Sequence, residues 1–254
     1  MKQNKYDDPE FFARYSTLAR STGGLGAAGE WAVLRAMLPP LTGKRVLDLG
    51  CGFGWHCRYA REMGAAAVVG VDLSERMLAR AAGLTDDRQI TYVRAAIEDA
   101  EFPMASFDVA FSSLALHYVH DFAAVCRNVA RMLVSGGSFV FSVEHPVFTA
   151  RAEQAWWTDA EGRRLHWPVD HYGEEGERRS NWLAPDVVKY HRTLATTINA
   201  VVGAGLVLDR LEEPGPPPEM VARDPAARDE ARRPMFLLIA AQKPAQPHNA
   251  GSGG

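Results

Sequence analysis

The chain has 254 residues, of which 47% are apolar and 23% are charged, and its net charge is −3 at pH 7. This composition is typical of a globular protein with one sizeable core. The weak net charge argues against the strong positive field that binds nucleic acids or anionic lipids, and no apolar run reaches membrane-spanning length. We therefore expect no nucleic-acid partner and no membrane association.

The cysteines and the chain ends predict where the protein works. Its three cysteines are Cys51, Cys57 and Cys126, and none forms a Cys-x-x-Cys pair. An odd number of such thiols is a poor disulfide framework, which indicates a reducing, cytoplasmic setting. The N-terminal residues lack the apolar stretch of a secretion signal. Residues 244–254 are rich in Pro, Gly and small polar residues, which predicts a disordered tail.

Apolar runs and helix-breaking residues predict alternating helices and strands up to residue 143. Helices over 9–18 and 26–38 come first, and Pro39-Pro40 ends the second. Short apolar strands then alternate with helices, a pattern typical of a parallel sheet covered on both faces. The predicted strands are 44–49, 67–72, 89–94, 107–112 and 138–143.

The alternating pattern breaks in residues 144–182, which hold many charges and four tryptophans. Regular elements resume with a predicted helix over 185–203 and strands over 206–212 and 235–241, the last two joined as an antiparallel hairpin. The sequence thus predicts one α/β domain over residues 1–243. Its sheet is doubly wound, seven-stranded and mostly parallel, with a C-terminal antiparallel hairpin and a lid-like insert after the fifth strand.

The stretch VLDLGCGFG carries the sharpest chemical signal. Gly50, Gly52 and Gly54 follow a strand and precede a helix, so a backbone without Cβ atoms can turn tightly and let a ligand lie against it. Asp48 stands two residues before the first of these glycines. The nicotinamide-binding fingerprint requires glycine at position 55, where this chain has Trp55. The spacing therefore disfavours a nicotinamide-dependent oxidoreductase.

A second signal is Asp72, which ends the second predicted strand. A carboxylate at this place can accept hydrogen bonds from both hydroxyls of a ribose. One acid alone is weak support, since it could simply cap the following helix. Combined with the glycine turn at this spacing, it predicts a ribose-containing ligand.

These motifs resemble the class I S-adenosylmethionine (SAM)-dependent methyltransferases over about residues 6–243. The resemblance includes SFDV entering the fourth strand, SSLALH leaving it and LVSGG before the fifth. It implies a Rossmann-like fold, SAM as cofactor, S-adenosylhomocysteine as product, and methyl transfer by in-line displacement to a small-molecule acceptor. Enzymes that methylate base amino groups carry an Asn/Asp-Pro-Pro-aromatic stretch where Ser113-Leu-Ala-Leu stands here, which disfavours a nucleic-acid substrate.

The resemblance also implies cofactor-binding roles. Many relatives have Asp where Ala96 aligns, so the adenine amino group would be read by Glu98, Asp99, the backbone or water. The implied residues are Arg20, Asp48, Gly50, Cys51, Gly52, Gly54 and Ser113 at the methionine part, Asp72 at the ribose, and Leu73, Ile97 and Glu98 around the adenine.

The catalytic candidates are His145, His117 and Tyr15. Ligands of open α/β sheets bind at the carboxyl ends of the strands, where both histidines fall. Either histidine could be a general base near neutral pH or a structural side chain, and Tyr15 could point into the pocket. His166 and His171 match no metal-ligand spacing, so no metal is expected.

Several alternatives stay open from the sequence alone. The insert over residues 144–182 could be a lid over an aromatic acceptor pocket or the core of a small subdomain. The chain could be a SAM-binding protein without turnover or, less well supported, an oxidoreductase. No pattern identifies the methyl acceptor or an oligomeric state.

Overall fold

The first half of the chain forms helices and strands in alternation, as predicted. The computed structural model describes residues 2–245, so the predicted tail lies outside the described residues from 246 onward. The elements up to the fifth strand are α1 (Pro9–Ser16), α2 (Ala19–Thr22), α3 (Trp31–Met37), β1 (Arg45–Leu49), α4 (Trp55–Glu62), β2 (Ala67–Asp72), α5 (Glu75–Gly83), β3 (Ile90–Arg94), β4 (Phe107–Ser113), α6 (Phe122–Met132) and β5 (Leu133–Glu144).

The second half adds two hairpins before the fold of the sheet is completed. A long connection that contains two helices joins the last two strands of the chain. The elements are α7 (Pro146–Thr149), β6 (Trp157–Thr158), β7 (Arg164–His166), β8 (Gly176–Trp182), β9 (Ala184–His191), α8 (Leu194–Gly203), β10 (Val207–Glu212), α9 (Pro218–Arg223), α10 (Pro225–Glu230) and β11 (Phe236–Gln242).

The central sheet has seven strands in the order β10-β11-β5-β4-β1-β2-β3. Strands β1 to β5 pair in parallel, whereas β11 pairs antiparallel with both β5 and β10. The predicted doubly wound sheet with its C-terminal antiparallel pair is therefore confirmed. The parallel strands are joined through helices that cross over the sheet, because a short turn cannot connect two parallel neighbours.

Capping side chains start the two helices that flank the ligand-binding edge of the sheet. Ser74 accepts a hydrogen bond from Met77 N at 3.1 Å and begins α5. Asp121 accepts one from Ala124 N at 2.8 Å and begins α6. Each cap satisfies a backbone N–H that the first helical turn leaves without a partner. Apolar residues of α6 then pack against β5 and β11 in the main core.

The predicted helix over 185–203 is wrong in its first part. Strand β9 occupies this stretch and pairs antiparallel with β8. Val187, Lys189 and His191 are buried, and the residues between them are more exposed. That alternation has the period of two that belongs to a strand. Thr193 accepts from Thr196 N at 3.1 Å, so α8 begins only after this residue.

Among the described residues, none of the helices has the length and apolar character that a bilayer-spanning segment needs.

The core at the β5–β11 pairing should dominate stability. Leu237 on β11 is 0% exposed, so we expect Leu237→Ala to lower the free energy of unfolding by about 3 kcal/mol through lost burial and a cavity. Val207 on the edge strand β10 is 58% exposed, and Val207→Ala should change it by less than about 0.5 kcal/mol. Urea denaturation measures both. Equal effects of the two substitutions would contradict this account of the core.

Candidate functional site

A cavity of about 940 Å³ opens at the carboxyl ends of the parallel strands. Its walls come from the glycine turn after β1, the ends of β2, β4 and β5, the N-terminal segment, and the hairpin β8–β9. The predicted residues that line it are Tyr15, Arg20, Gly50, Gly52, Asp72, Leu73, Ile97, Glu98, Ser113 and His117. Asp48, Cys51, Gly54 and His145 do not line it, although Cys51 lines a smaller side cavity next to the turn.

All three glycines of the turn have positive φ, but they differ in what a Cβ atom at each position would contact. A Cβ on Gly50 would stand 2.3 Å from Ala115 Cβ, and one on Gly54 would stand 2.1 Å from Tyr92 Oη. Those two positions are therefore closed by the protein itself. A Cβ on Gly52 would meet nothing within 4 Å. Because Gly52 also lines the cavity, its backbone is open for a ligand to lie against.

Asp72 lies at the end of β2 and holds the turn in place. Its Oδ2 accepts a hydrogen bond from Gly52 N at 2.8 Å, and its Oδ1 accepts one from Ser74 N at 2.9 Å. Burial nevertheless raises the pKa of this carboxyl above its ordinary value. Each carboxylate oxygen has a further lone pair, so the group can also accept hydrogen bonds from two ribose hydroxyls in the cavity.

Asp48 lies beneath the turn rather than in the cavity and is 1% exposed. Its Oδ2 accepts a weak hydrogen bond from Cys57 Sγ at 3.3 Å, and its Oδ1 has no partner among the described residues. Burial raises the pKa of Asp48 to about 7. Any effect of Asp48 on a ligand would therefore pass through the backbone of the turn.

Arg20 lines both the main cavity and a side cavity of about 60 Å³. Its Nη2 lies 3.0 Å from Oε1 of the buried Glu30, which also accepts a hydrogen bond from Ser113 Oγ at 3.2 Å. Trp55 lines the same side cavity, and its buried indole Nε1 has no hydrogen-bond partner within residues 2–245. A guanidinium and an unpaired N–H beside the glycine turn suit the carboxylate of an amino-acid moiety.

His145 is held by the protein on both ring nitrogens. Its Nδ1 accepts from Val147 N at 3.0 Å and caps α7, while its Nε2 lies 2.6 Å from Glu213 Oε1. An imidazole that accepts at Nδ1 carries its proton on Nε2, so the ring donates to Glu213. This geometry favours the structural alternative for His145 over a general base.

His117 does line the cavity, and its burial sets its protonation state. Burial lowers its pKa to about 4, so the imidazole is neutral near pH 7. Its Nδ1 lies 3.5 Å from Glu144 N, a long contact that favours the tautomer with the proton on Nε2. Tyr15 also lines the cavity, and burial raises the pKa of its phenol. Both side chains therefore act most readily as neutral hydrogen-bond donors.

The cavity residues that the sequence analysis missed include Glu144, Gln154 and Lys189. The Lys189 Nζ and Glu144 Oε1 atoms lie 2.5 Å apart, and Lys189 is only 2% exposed. Glu144 ends β5 and could have been found by its place at the sheet edge. Lys189 was missed because residues 185–203 were predicted to be helical, whereas in the structure it belongs to strand β9 and lines the cavity.

The N-terminal segment, residues 2–8, crosses from the sheet edge to the hairpin β8–β9. Asp7 accepts from Ser74 Oγ at 2.5 Å and from Arg76 N at 3.0 Å at the start of α5. On the other side, Gln3 Oε1 accepts from Val188 N of β9 at 2.9 Å. This segment therefore covers the cavity between the two parts.

Within the described residues, no group of three or more His, Cys, Asp or Glu side chains is arranged to hold a metal ion.

Comparison with known proteins agrees with this architecture. Residues 47–141 match the family model described as a methyltransferase domain. A crystal structure of an S-adenosylmethionine-dependent methyltransferase from Mesorhizobium loti is 52% identical, covers 86% of this chain and all of that chain (100%), and superposes with a TM-score of 0.81. The chain belongs to the SAM-dependent methyltransferases.

Two curated relatives align with all or part of this chain. An uncharacterised protein of Haemophilus influenzae is 36% identical over 253 residues, which is 95% of this chain and 98% of that protein. A ubiquinone biosynthesis O-methyltransferase of Idiomarina loihiensis is 38% identical over 154 residues, 55% of this chain and 62% of that enzyme. The methyltransferase assignment and SAM as the cofactor are thus confirmed, and the oxidoreductase alternative falls away.

The buried carboxyl of Asp48 should make stability depend on pH. Its pKa is about 7 in the folded protein, against about 3.9 for an unfolded aspartate, so the folded state binds the proton more tightly. The contribution of Asp48 to wild-type stability is therefore highest at low pH, where its carboxyl is protonated in both states. It falls as pH rises towards 7, because the unfolded state releases this proton first. The free energy of unfolding of Asp48→Asn, taken relative to that of wild type, should therefore rise by about 2 kcal/mol when the pH is raised from about 5 to about 8.

Urea denaturation at both pH values measures this difference, and the exposed residue Asp209 gives the matched control Asp209→Asn. A stability gap between Asp48→Asn and wild type that does not vary with pH would contradict the raised pKa.

Proposed function

We propose that the enzyme methylates a small molecule that binds in the same cavity as the cofactor. The observation that carries this proposal is the continuity of the cavity from the glycine turn to the hairpin β8–β9. Its volume of about 940 Å³ is near the upper end for small-molecule sites, which is consistent with room for a cofactor and an acceptor together. The covering N-terminal segment would exclude a large polymer from the reacting atoms.

The cavity residues around the glycine turn and the ends of β2 and β4, which we call the donor half, would fit the parts of SAM. Asp72 would accept the ribose hydroxyls, while Leu73 and Ile97 would contact the adenine beside Glu98. The open backbone of Gly52 would lie against the methionine part. Arg20 would pair with the carboxylate and Ser113 with the ammonium group. Ala96 is buried and offers no carboxylate, so the adenine amino group would be bound by Glu98, Asp99, the backbone or water.

The protein's task in this reaction is placement. When bound, SAM supplies an electrophilic methyl group on a sulfonium. The chain's residues would hold an acceptor atom in line with that methyl group and exclude water from the cavity. Correct positioning of two reactants contributes several orders of magnitude to rate. The N-terminal segment and the insert, residues 144–182, would together act as the lid that closes over both reactants.

The O-methyltransferase relative supports a small acceptor, but it shares only part of its length with this chain. The family match at residues 47–141 ends before the insert that supplies the acceptor side of the cavity. The acceptor is therefore best sought through the residues of this chain's own insert.

Cofactor binding should depend on Asp72. Calorimetric titration with S-adenosylhomocysteine should show that Asp72→Ala weakens binding at least about 100-fold, because two hydrogen bonds to a charged group are lost. Asp72→Asn retains one acceptor oxygen for the turn and should weaken binding less.

Asp108 provides the matched control, since it also accepts a backbone N–H, from Arg45 at 2.8 Å, but at the start of β4. Asp108→Asn should bind like wild type. Undiminished binding by Asp72→Ala would remove the assigned ribose site. Turnover with RNA or protein extracts, but not with a dialysable metabolite fraction, would overturn the small-molecule acceptor.

The N-terminal segment should control the release of ligand. Asp7→Ala removes the acceptor that holds this segment to Ser74 and Arg76, so S-adenosylhomocysteine should dissociate about 10-fold faster as the cover opens. Stopped-flow tryptophan fluorescence measures this rate. Asp87→Ala is the control, because Asp87 binds Gln89 N and Arg61 just before β3, away from the cavity. Equal dissociation rates for the two variants would contradict a covering role.

A further inference from the structure

The acceptor side of the cavity contains a polar cluster of the buried Lys189 and the half-buried Glu144 and Gln154. Lys189 Nζ donates to Glu144 Oε1 at 2.5 Å and to Gln154 Oε1 at 3.2 Å. Gln154 Nε2 donates in turn to Glu144 Oε2 at 3.0 Å. The three side chains come from β5, the insert and β9, and all of them line the cavity. This polar cluster joins the sheet edge to the lid.

The polar cluster has hydrogen-bonding capacity to spare. An ammonium group has three N–H donors, and Lys189 uses two on protein oxygens. The third has no hydrogen-bond partner in the described part of the chain, and the ammonium lies 5.5 Å from the Trp182 ring centre. Each Glu144 oxygen likewise accepts one hydrogen bond and can accept another. One donor on Lys189 and one acceptor site on each Glu144 oxygen are therefore left for a ligand.

The charged side chains of β5 and the hairpin β8–β9 balance one another without a ligand, and Lys5 of the N-terminal segment donates to Pro185 O at 3.2 Å. Glu144 is neutralised by Lys189, and Glu177 by Arg179 with 2.7 Å between Oε1 and Nη2. These are the charged side chains that β5 and the hairpin β8–β9 contribute to the cavity. A charged acceptor would add an uncompensated charge in a poorly hydrated place, which is expensive. The site therefore suits an uncharged acceptor.

Ring side chains form the walls beside the polar cluster. Tyr6 meets Tyr15 edge to face at 5.2 Å between ring centres and Tyr118 at 6.2 Å. Tyr15 meets Trp182 edge to face at 6.2 Å. These four rings line the cavity. Rings with exposed faces and edges favour a planar aromatic guest over an aliphatic one.

Resting on the function proposed above, we propose that the acceptor is an uncharged aromatic molecule with a phenolic hydroxyl, which binds the polar cluster. A hydroxyl oxygen accepts from Lys189 while its O–H donates to Glu144, which matches the spare donor and acceptor. During transfer, the O–H proton moves to the Glu144 carboxylate as the oxygen–methyl bond forms and the methyl–sulfur bond breaks. S-adenosylhomocysteine leaves as a neutral thioether, and Glu144 then returns its proton to water.

Lys189 would stabilise the negative charge that develops on the phenolic oxygen. Glu144 takes the place of the histidines as proton acceptor, since His145 is engaged by Val147 and Glu213. Burial alone would raise the pKa of Glu144, but His117 and Lys189 bring it below its ordinary value, so the group is an ionised carboxylate near pH 7.

The test uses four probes of similar size on the full chain saturated with S-adenosylhomocysteine: catechol, benzoate, benzylamine and cyclohexane-1,2-diol. Calorimetry should show catechol binding at least tenfold more tightly than the anion, the cation or the aliphatic diol. With SAM, catechol should also raise the rate of S-adenosylhomocysteine release above the background without acceptor.

The double variant E144Q/K189M removes both charges of the buried pair at once. It avoids leaving one charge uncompensated, so the protein should fold and bind S-adenosylhomocysteine like wild type. Its catechol affinity should fall at least tenfold and its catechol-dependent turnover at least 100-fold. E212Q/R210M, which removes a solvent-accessible ion pair of β10 that does not line the cavity, should match wild type in both measurements.

Each contrary result identifies a different error. Tighter binding of benzoate, benzylamine or the aliphatic diol, or no binding of any probe, overturns the phenol class and leaves the small-molecule function to its own test with the dialysable fraction. Catechol binding that survives in E144Q/K189M overturns the place assigned to the hydroxyl. Loss of S-adenosylhomocysteine binding in that double variant would show that the polar cluster supports the fold, and would also overturn the assignment.

Discussion

The hydrogen bonds that Asp72 accepts from Gly52 and Ser74 tie together the parts of the molecule on which the site depends. They join the turn after β1 to the end of β2 and the start of α5. Asp7 extends this series of contacts, because its carboxylate accepts a hydrogen bond from the hydroxyl of the same Ser74. Two carboxylates thus connect the ligand-facing backbone to the segment that covers it. Backbone N–H donors of this kind help a partly buried carboxylate to remain charged.

The fold of the donor half could be predicted because its sequence signals are local. The glycine turn and the caps Ser74 and Asp121 are each visible within a few residues, Asp72 stands at the end of the next strand, and buried parallel strands read as short apolar runs. The acceptor half depends on contacts between distant elements. Glu144 and Lys189 lie 45 residues apart, and no local pattern announces their pairing. The β9 strand was missed for a related reason, since its alternation is carried partly by a buried lysine that reads as polar.

The two histidines show why the position of a residue at a sheet edge does not define its role. Both follow strands at the carboxyl-end edge of the sheet, yet only His117 lines the cavity, whereas His145 caps α7 and pairs with Glu213. Protonation of His117 is suppressed by burial, which lowers its pKa to about 4. Only the three-dimensional hydrogen-bond arrangement separates a free base from a satisfied one, because sequence gives the residue type but not which nitrogen is occupied.

The position of β11 has a consequence for the synthesis of this protein. This last strand is inserted between β5 and β10, and Leu237, Leu238 and Ile239 are fully buried there. Until those residues leave the ribosome, β5 presents an unpaired edge and the half of the core beneath it stays incomplete. A nascent chain would therefore carry an exposed, aggregation-prone strand edge until β11 is made, although most of the donor half can fold before that point. Chaperone demand should consequently be highest in the interval between the synthesis of β5 and that of β11.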